Sequence, residues 1–188
     1  MNMRLYWKII TESIGILLLA SLLSALGGLS IQSISQNLFL LLPLLILMPA
    51  LNDMTGDYGG IVVSRFTTLL YTGKIKEKNW WKSHLLHRML GEVLIIGTFS
   101  AVYITVLASV IAWFKGFAMQ WDVFQRILLI ALTTTWLLVL VLFVVCVLGG
   151  FYVYKKKHNP DNYLIPIATA LADLGSMAVL TVLVQVLF

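Results

Sequence analysis

The chain alternates between five long apolar segments and short links in which polar and charged residues collect. A helix that crosses a membrane needs about 20 mostly apolar residues, and each segment is long enough. The segments are continuously rich in Leu, Ile and Val and lack the alternating polarity of a barrel strand, so the pattern predicts helices. They cover, approximately, residues 9–29, 38–72, 90–113, 127–152 and 163–188. We therefore expect an all-α integral membrane protein with five transmembrane helices, in one domain over residues 1–188.

The composition agrees with this pattern. Of the 188 residues, 60% are hydrophobic and 11% are charged, whereas a soluble domain carries about 25% charged residues. That difference excludes a soluble enzyme, a disordered chain and a nucleic-acid-binding protein. The single cysteine, Cys146, excludes an internal disulfide framework and a multi-cysteine metal site, and its simplest role is packing.

The links between the apolar segments alternate between a high and a low content of Lys and Arg. The basic residues collect before the first segment, after the second and after the fourth, as Arg4 and Lys8, then Lys74, Lys76, Lys78, Lys82 and Arg88, then Lys155, Lys156 and Lys157. Because cytoplasmic links carry the excess of positive charge, we expect a cytoplasmic N-terminus and an extracellular C-terminus in the cell membrane. The first segment also resembles a signal peptide, but it is long and lacks a convincing cleavage pattern at residues 24–28, so we expect a retained helix.

The second segment is longer and more polar than a membrane-spanning helix requires. Its middle contains Pro49 and three glycines, which lower helix propensity, and two acids, Asp53 and Asp57, spaced so that they share one face of a helix. Asn52 and Thr55 add neutral oxygens nearby. One interpretation is a re-entrant or kinked polar loop. The other, which we favour, is an interrupted helix that lines a water-filled path, because irregular backbone and charge at membrane depth are tolerated mainly there.

The fifth segment carries a carboxylate near the middle of the bilayer. Asp173 has no Lys or Arg within its own predicted helix, Thr169 lies one turn earlier, and Gly175 and Ser176 allow a neighbouring helix to come close. The acid is either protonated and hydrogen-bonded to a neighbouring helix or bound to a cation. We favour the cation, because acids inside a membrane are costly and usually have a function. Asp161, ahead of this helix, is expected to be its N-terminal cap, alone or while also collecting cations at the entrance.

The polar groups expected at membrane depth are carboxylate, amide and hydroxyl oxygens, which favour a hard cation over zinc or copper. The candidate ligands are Asp173, Asp57, Asp53, Thr169, Asp161 and Asn52. Mg²⁺ suits them because it can pass largely hydrated, and Na⁺, Mn²⁺ or Co²⁺ would also fit.

Other polar residues carry weaker signals. Arg65 can pair with an aspartate or line a cytoplasmic vestibule, and His84 and His87 alone form a poor metal site. There is no phosphate-binding loop, nucleophile–base set or haem motif, so we expect neither an enzyme nor a cofactor.

Two stretches resemble the MgtE-type magnesium transporters and their eukaryotic solute-carrier relatives. The first, residues 49–73, resembles their second helix and contains Gly-Asp-Tyr-Gly at 56–59, Ser-Arg at 64–65, Thr-Thr at 67–68 and Thr-Gly at 72–73. The second resembles their fifth helix, with Asn-Pro-Asp-Asn at 159–162, Ile-Pro at 165–166 and Thr-Ala-Leu-Ala-Asp at 169–173. The five-helix layout and the orientation are also similar. Asn159 stands where the family usually has the first aspartate of an Asp-Pro motif, and Asp57 where asparagine is common.

The resemblance implies a ten-helix homodimer with an ion path along the dimer axis, between the second and fifth helices. Asp173 would take the position of the family's central cation-binding aspartate. Only residues 1–8 precede the first predicted helix, so we expect a single five-helix repeat without the large cytoplasmic regulatory domains of the bacterial members. Such a chain can also pair with a separate sister five-helix chain.

Three functions are consistent with these features. The leading hypothesis is a divalent cation transporter or channel, with Mg²⁺ as the transported and bound ion. A sodium-coupled Mg²⁺ exchanger, whose aspartates bind different ions in turn, is the second. The third is a non-transporting membrane subunit that scaffolds or regulates a partner, in which the aspartates serve helix association.

Overall fold

The computed structural model describes residues 3–32, 34, 41–75 and 77–188 and contains five long α-helices in those ranges. They are α1 (Met3–Gln32), α2 (Leu42–Tyr71), α3 (His84–Phe114), α4 (Trp121–Lys155) and α5 (Pro160–Leu187), with a 3₁₀ helix at Glu77–Lys82 before α3. No strand occurs in the described ranges, so the predicted all-α class is confirmed. The predicted start of the second helix at residue 38 and half of the uncharged link before it, residues 33 and 35–37, lie outside the described residues.

The helices extend further than the apolar segments that predicted them. Helix α3 begins at His84, about two turns before the predicted start at residue 90, and α4 begins at Trp121 instead of residue 127. Apolar runs mark only the part of a helix that sits in hydrocarbon, and polar residues continue the same helix beyond it. Glycines with positive φ, Gly73 at +66° and Gly116 at +87°, follow the ends of α2 and α3.

Helix α2 is continuous, so the predicted interruption at Pro49 is wrong. The proline removes one backbone hydrogen bond. A broken helix away from water would leave several backbone groups unsatisfied, at several kcal/mol each, which is worse. Leu47 and Leu51, which flank Pro49 in the sequence, are both fully buried, and this burial favours a helix that continues past the proline. Gly59 also has a packing role, because a Cβ at this position would lie 2.9 Å from the Cβ of Ala168 on α5.

Helix α5 joins α1 to the rest of the bundle. It packs against α1, α2 and α4, while α3 packs against α2 and α4. One core cluster joins α2, α3, α4 and α5, and it includes an edge-to-face contact of Phe66 with Phe151 at 5.1 Å between ring centroids. A second cluster, nearer the other end of these helices, includes Leu44, Leu47 and Leu180. This arrangement places one face of α5 against both α1 and α2.

Four of the five described helices are long and apolar enough to cross a membrane: α3, α4, α5 and the part of α1 at Ile14–Gln32. Helix α2 does not meet that composition because it carries Asp53, Asp57 and Arg65 within its 30 residues. Four helices therefore meet the prediction of five apolar spans. The helix that does not meet it is α2, which is more polar and packs among the others.

Candidate functional site

A groove between α2 and α5 brings together most of the residues singled out by the sequence. Its main cavity has a volume of about 650 Å³. The polar residues that line it are Asn52, Asp53, Asp57, Thr169 and Asp173, with Met48 and Met177 among the apolar ones. Five of the six candidate ligands therefore share one groove.

Helix α2 supplies three of these side chains from one face. Asn52, Asp53 and Asp57 lie within two turns, and the four-residue spacing of the two acids places them one above the other. Both acids are exposed, whereas Asn52 is partly buried against α5. Thr55 does not contribute, because it is fully buried and its hydroxyl donates to the Leu51 carbonyl at 3.0 Å.

Asp173 finds its hydrogen-bond partners on other helices. The Ser24 hydroxyl of α1 donates to its Oδ2 at 2.6 Å, and the Asn52 amide of α2 donates to its Oδ1 at 2.7 Å. The Ser176 hydroxyl, one turn further along α5, donates to Oδ1 of Asn52 and lies 3.2 Å from the Asp173 carbonyl oxygen. Both carboxylate oxygens are thus held by neutral donors, and the four side chains link α1, α2 and α5 at one level of the bundle. We call these four side chains the Asp173 network.

Gly27 allows α1 to approach close enough for this network. A Cβ at this position would lie 3.0 Å from the Cα of Leu174 and 3.1 Å from the Asp173 carbonyl oxygen. Only hydrogen therefore fits between the two backbones. One turn earlier on the same face, Ser24 consequently reaches the Asp173 carboxylate.

Sequence reasoning missed Ser24 as a functional residue. For residues 24–28 the sequence prediction concerns only signal-peptide cleavage, although Ser24, Gly27 and Gly28 are small residues of the kind that let transmembrane helices pack closely. Ser176, predicted to allow close packing, also belongs to the network. The spacing of small residues in α1 could have indicated that another helix packs closely there, but not that this helix is α5.

The groove continues along α2 and α5 through a second cavity of about 410 Å³. This cavity shares Gly56, Asp57 and Thr169 with the first and extends to Ser64 and Ile165. The exposed Thr169 hydroxyl donates to the Ile165 carbonyl at 3.1 Å, which leaves its oxygen able to accept from water in the groove.

Asp161 lies in the first turn of α5 and lines neither cavity. The cap is Asn159, whose Oδ1 accepts a hydrogen bond from the Asp161 backbone N–H at 3.2 Å, so the prediction that Asp161 caps this helix is wrong. Asparagine is as good an N-cap as aspartate, and an acid in the first turn still interacts favourably with the helix dipole. One oxygen of Asp161 is buried without a hydrogen-bond partner among the described residues, and its role at an entrance stays a prediction.

Arg65 pairs with Glu92 of α3 at 2.8 Å, and therefore not with an aspartate of the groove. His87 Nδ1 lies 3.0 Å from the carbonyl oxygen of Ser83, the residue directly before its own helix. Within the described part of the chain, no three Asp, Glu, His or Cys side chains come close enough to hold one metal ion. The three aspartates of the groove are therefore spread along it, and no two other acids join Asp173 on a single ion.

This distribution determines what the groove can do chemically. Among the described residues that line its main cavity there are three carboxylates and no Lys or Arg, so cations are attracted and anions repelled. Its volume far exceeds that of six waters, at roughly 30 Å³ each, so a cation can enter with its first hydration shell. Water bound to the ion can donate to the carboxylates, each of which has about four lone-pair sites.

A family model described as "MgtE: Divalent cation transporter" matches residues 48–183. The match begins within α2 and ends within α5, so it contains the whole groove between them and leaves out Ser24 and Gly27. No curated protein and no solved structure matches the chain.

Proposed function

Because the chain belongs to the MgtE family of divalent cation transporters, we propose that it is a multi-pass membrane protein that moves Mg²⁺ along the groove between α2 and α5. The observation that carries this proposal is the convergence of Asp53, Asp57 and Asp173 on one groove whose described lining has no basic residue. Acids away from water are costly unless they serve an ion or a proton.

The spacing of the acids favours an ion that keeps its water. Mg²⁺ dehydrates reluctantly and commonly takes only one or two carboxylates directly. In the groove, Asp53 and Asp57 would accept from the hydration shell one turn apart. Asp173, held by Ser24 and Asn52, would present its remaining lone pairs at a fixed position. Mn²⁺ and Co²⁺ share this chemistry and are expected to compete with Mg²⁺.

Transport would be driven by the membrane potential. A cytoplasm-negative potential favours entry by about 2.3 kcal/mol per charge for each 100 mV, and so by about twice that for a divalent ion. The direction of net flux follows from that potential and from the Mg²⁺ gradient. The distribution of Lys and Arg predicts only which end of the groove faces the cytoplasm.

The groove is open on its outer side, and we propose that a second copy of the chain closes it, as the resemblance to the family implies. A homodimer would bring the α2 and α5 faces of two chains together and double the number of carboxylates around the path. A sister five-helix chain would serve in the same way.

Flux of Mg²⁺ into liposomes that contain the purified protein tests the proposal. Replacing Asp173 with Asn keeps its shape and removes its charge, and we expect flux to fall at least about tenfold, the equivalent of about 1.4 kcal/mol at the transition state. Asp122→Asn is the matched control, because this exposed acid pairs with Arg126 at 3.0 Å away from the groove. Its flux is expected to equal that of the unchanged protein.

Each other outcome has a distinct meaning. Flux that requires a sodium gradient would replace the channel with a sodium-coupled exchanger. Equal loss in both variants would show that the charge of the protein matters and the groove does not. Absence of flux in the unchanged protein, at either sign of potential and with sodium gradients, would refute transport by this chain alone and favour a scaffolding or regulatory subunit.

A further inference from the structure

A second charged cluster lies away from the groove, between α2 and α3. Glu92 of α3 binds Arg65 of α2 through one carboxylate oxygen at 2.8 Å and Arg88 of α3 through the other at 2.9 Å. Two bases around one acid leave a formal charge of +1. The side chains of Arg65 and Arg88 are 51% and 70% exposed, so the surplus charge is accessible.

This cluster borders a cavity of about 330 Å³. Leu69, Leu85 and Met89 form its apolar wall, and Thr68 contributes a hydroxyl. Each guanidinium has five N–H donors in a planar fork, and Glu92 engages Nη1 of Arg65 and Nε of Arg88. Glu92 therefore fixes the two forks side by side, while further N–H groups of both remain for an anion.

The cluster sits at the end of an apolar stripe on the surface of α3. Arg88 and Glu92 are followed at helical spacing by Ile95, Phe99 and Tyr103, which are 60%, 74% and 65% exposed. Helix α3 is one of the described helices that can cross a membrane, so this stripe would face hydrocarbon. From Arg88 to Phe99 the helix rises roughly 16 Å, about half of the ~30 Å hydrocarbon core and hence about the reach of one acyl chain.

We propose that Arg65 and Arg88 bind the phosphate of an anionic phospholipid whose acyl chain lies along the α3 stripe. Guanidinium pairs recognise phosphate oxygens through parallel hydrogen bonds, and the surplus positive charge selects a lipid with net negative charge over a zwitterionic one. Lys82, shortly before α3, adds positive charge at the same end of the helix. Glu92 orders the site and also competes with the phosphate for the same donors.

Native mass spectrometry of the full chain in detergent measures this directly, as the affinity for dioleoyl-phosphatidylglycerol against dioleoyl-phosphatidylcholine. Arg88→Gln and Arg65→Gln are each expected to weaken phosphatidylglycerol binding about fivefold, since a basic residue near a membrane surface contributes about that factor. Glu92→Gln is expected to strengthen it, because both guanidinium groups are released for the phosphate. Arg126→Gln, near the opposite end of α3, is the matched control and is expected to leave binding unchanged.

The opposite sign expected for Glu92→Gln keeps the test decisive, since misfolding cannot produce tighter binding. Weaker binding in Glu92→Gln, or equal loss in the Arg126 control, would overturn the proposal. So would displacement of phosphatidylglycerol by glycerol phosphate at equal concentration, which would assign the site to a free phosphate. A dimer that dissociates in Arg88→Gln, with lipid binding unchanged, would assign this face to a contact between copies of the chain.

Discussion

Adjacent glycines in α1 allow its packing on α5 to be tested with an internal control. Gly27 faces α5, where an added Cβ would meet the Cα of Leu174 at 3.0 Å and the Asp173 carbonyl oxygen at 3.1 Å. Gly28 is exposed, and a Cβ there meets nothing within 4 Å. Because the obstructing atoms at Gly27 belong to backbone, they cannot rotate away, so in Gly27→Ala the two helices must separate.

The magnitude follows from this geometry. Carbon atoms prefer a separation of about 3.5–4.0 Å, so α1 must move outward by roughly 0.5–1 Å. That displacement stretches the 2.6 Å bond from Ser24 to Asp173 beyond good geometry. Overpacking of this kind costs about 1–3 kcal/mol. Both alanine variants gain about the same helix propensity, at most about 1 kcal/mol. The difference between them therefore isolates the packing cost.

The assay is unfolding of both purified variants in detergent, followed by far-ultraviolet circular dichroism as the denaturant concentration or temperature rises. We expect Gly27→Ala to be less stable than Gly28→Ala by about 1–3 kcal/mol, and Gly28→Ala to match or exceed the unchanged protein. Equal stability of the two variants would refute the close approach of α1 to α5. If Gly27→Ala were the more stable variant, Gly27 could not face α5.

The same approach applies to the contact of α2 with α5 beside the groove. In Gly59→Ala the new Cβ would lie 2.9 Å from the Cβ of Ala168, whereas Gly60 has nothing within 4 Å. In the same unfolding assay we expect the first variant to be less stable than the second by about 1–3 kcal/mol, and the second to match or exceed the unchanged protein. The reverse order would contradict the observed packing. A further prediction concerns Cys146, which is 1% exposed on α4. We expect its thiol to react with a membrane-permeant maleimide at least about a hundredfold more slowly than in the unfolded chain, because buried structural cysteines are inert. Rapid labelling of the folded protein would show that α4 faces an open path.

Hydropathy alone located the helices, because the demand for internally satisfied backbone in lipid leaves few alternatives. It could not locate their ends, since residues such as His84 and Trp121 continue a helix beyond the apolar run. The break predicted at Pro49 was a separate error, and it came from helix propensity instead of hydropathy. Local propensity favoured a break there, and the burial of Leu47 and Leu51 against other helices outweighs that preference.

The candidate site was predictable as a set of residues and unpredictable as a network. The sequence singles out Asp173 and Asn52 because polar groups are rare and costly in apolar segments. It does not reveal that they bond to each other, since they are 121 positions apart, or that Ser24 joins them from 149 positions away. Likewise the partner of Arg65 proves to be Glu92 instead of an aspartate. Such pairings depend on which helices are neighbours and on how each helix is rotated about its axis, and local sequence patterns reveal neither.

The bond between Ser24 and Asp173 also sets an order of events during biosynthesis. Ribosomes add about 5–20 residues per second, so Ser24 is made roughly 7–30 s before its partner, 149 positions later. Throughout that interval α1 lacks the helix on which it packs. The nascent chain must therefore hold α1 in the membrane as a solitary helix until α5 is inserted. Any chain that stops short of α5 leaves a polar serine and a bare glycine face of α1 without the helix that covers them.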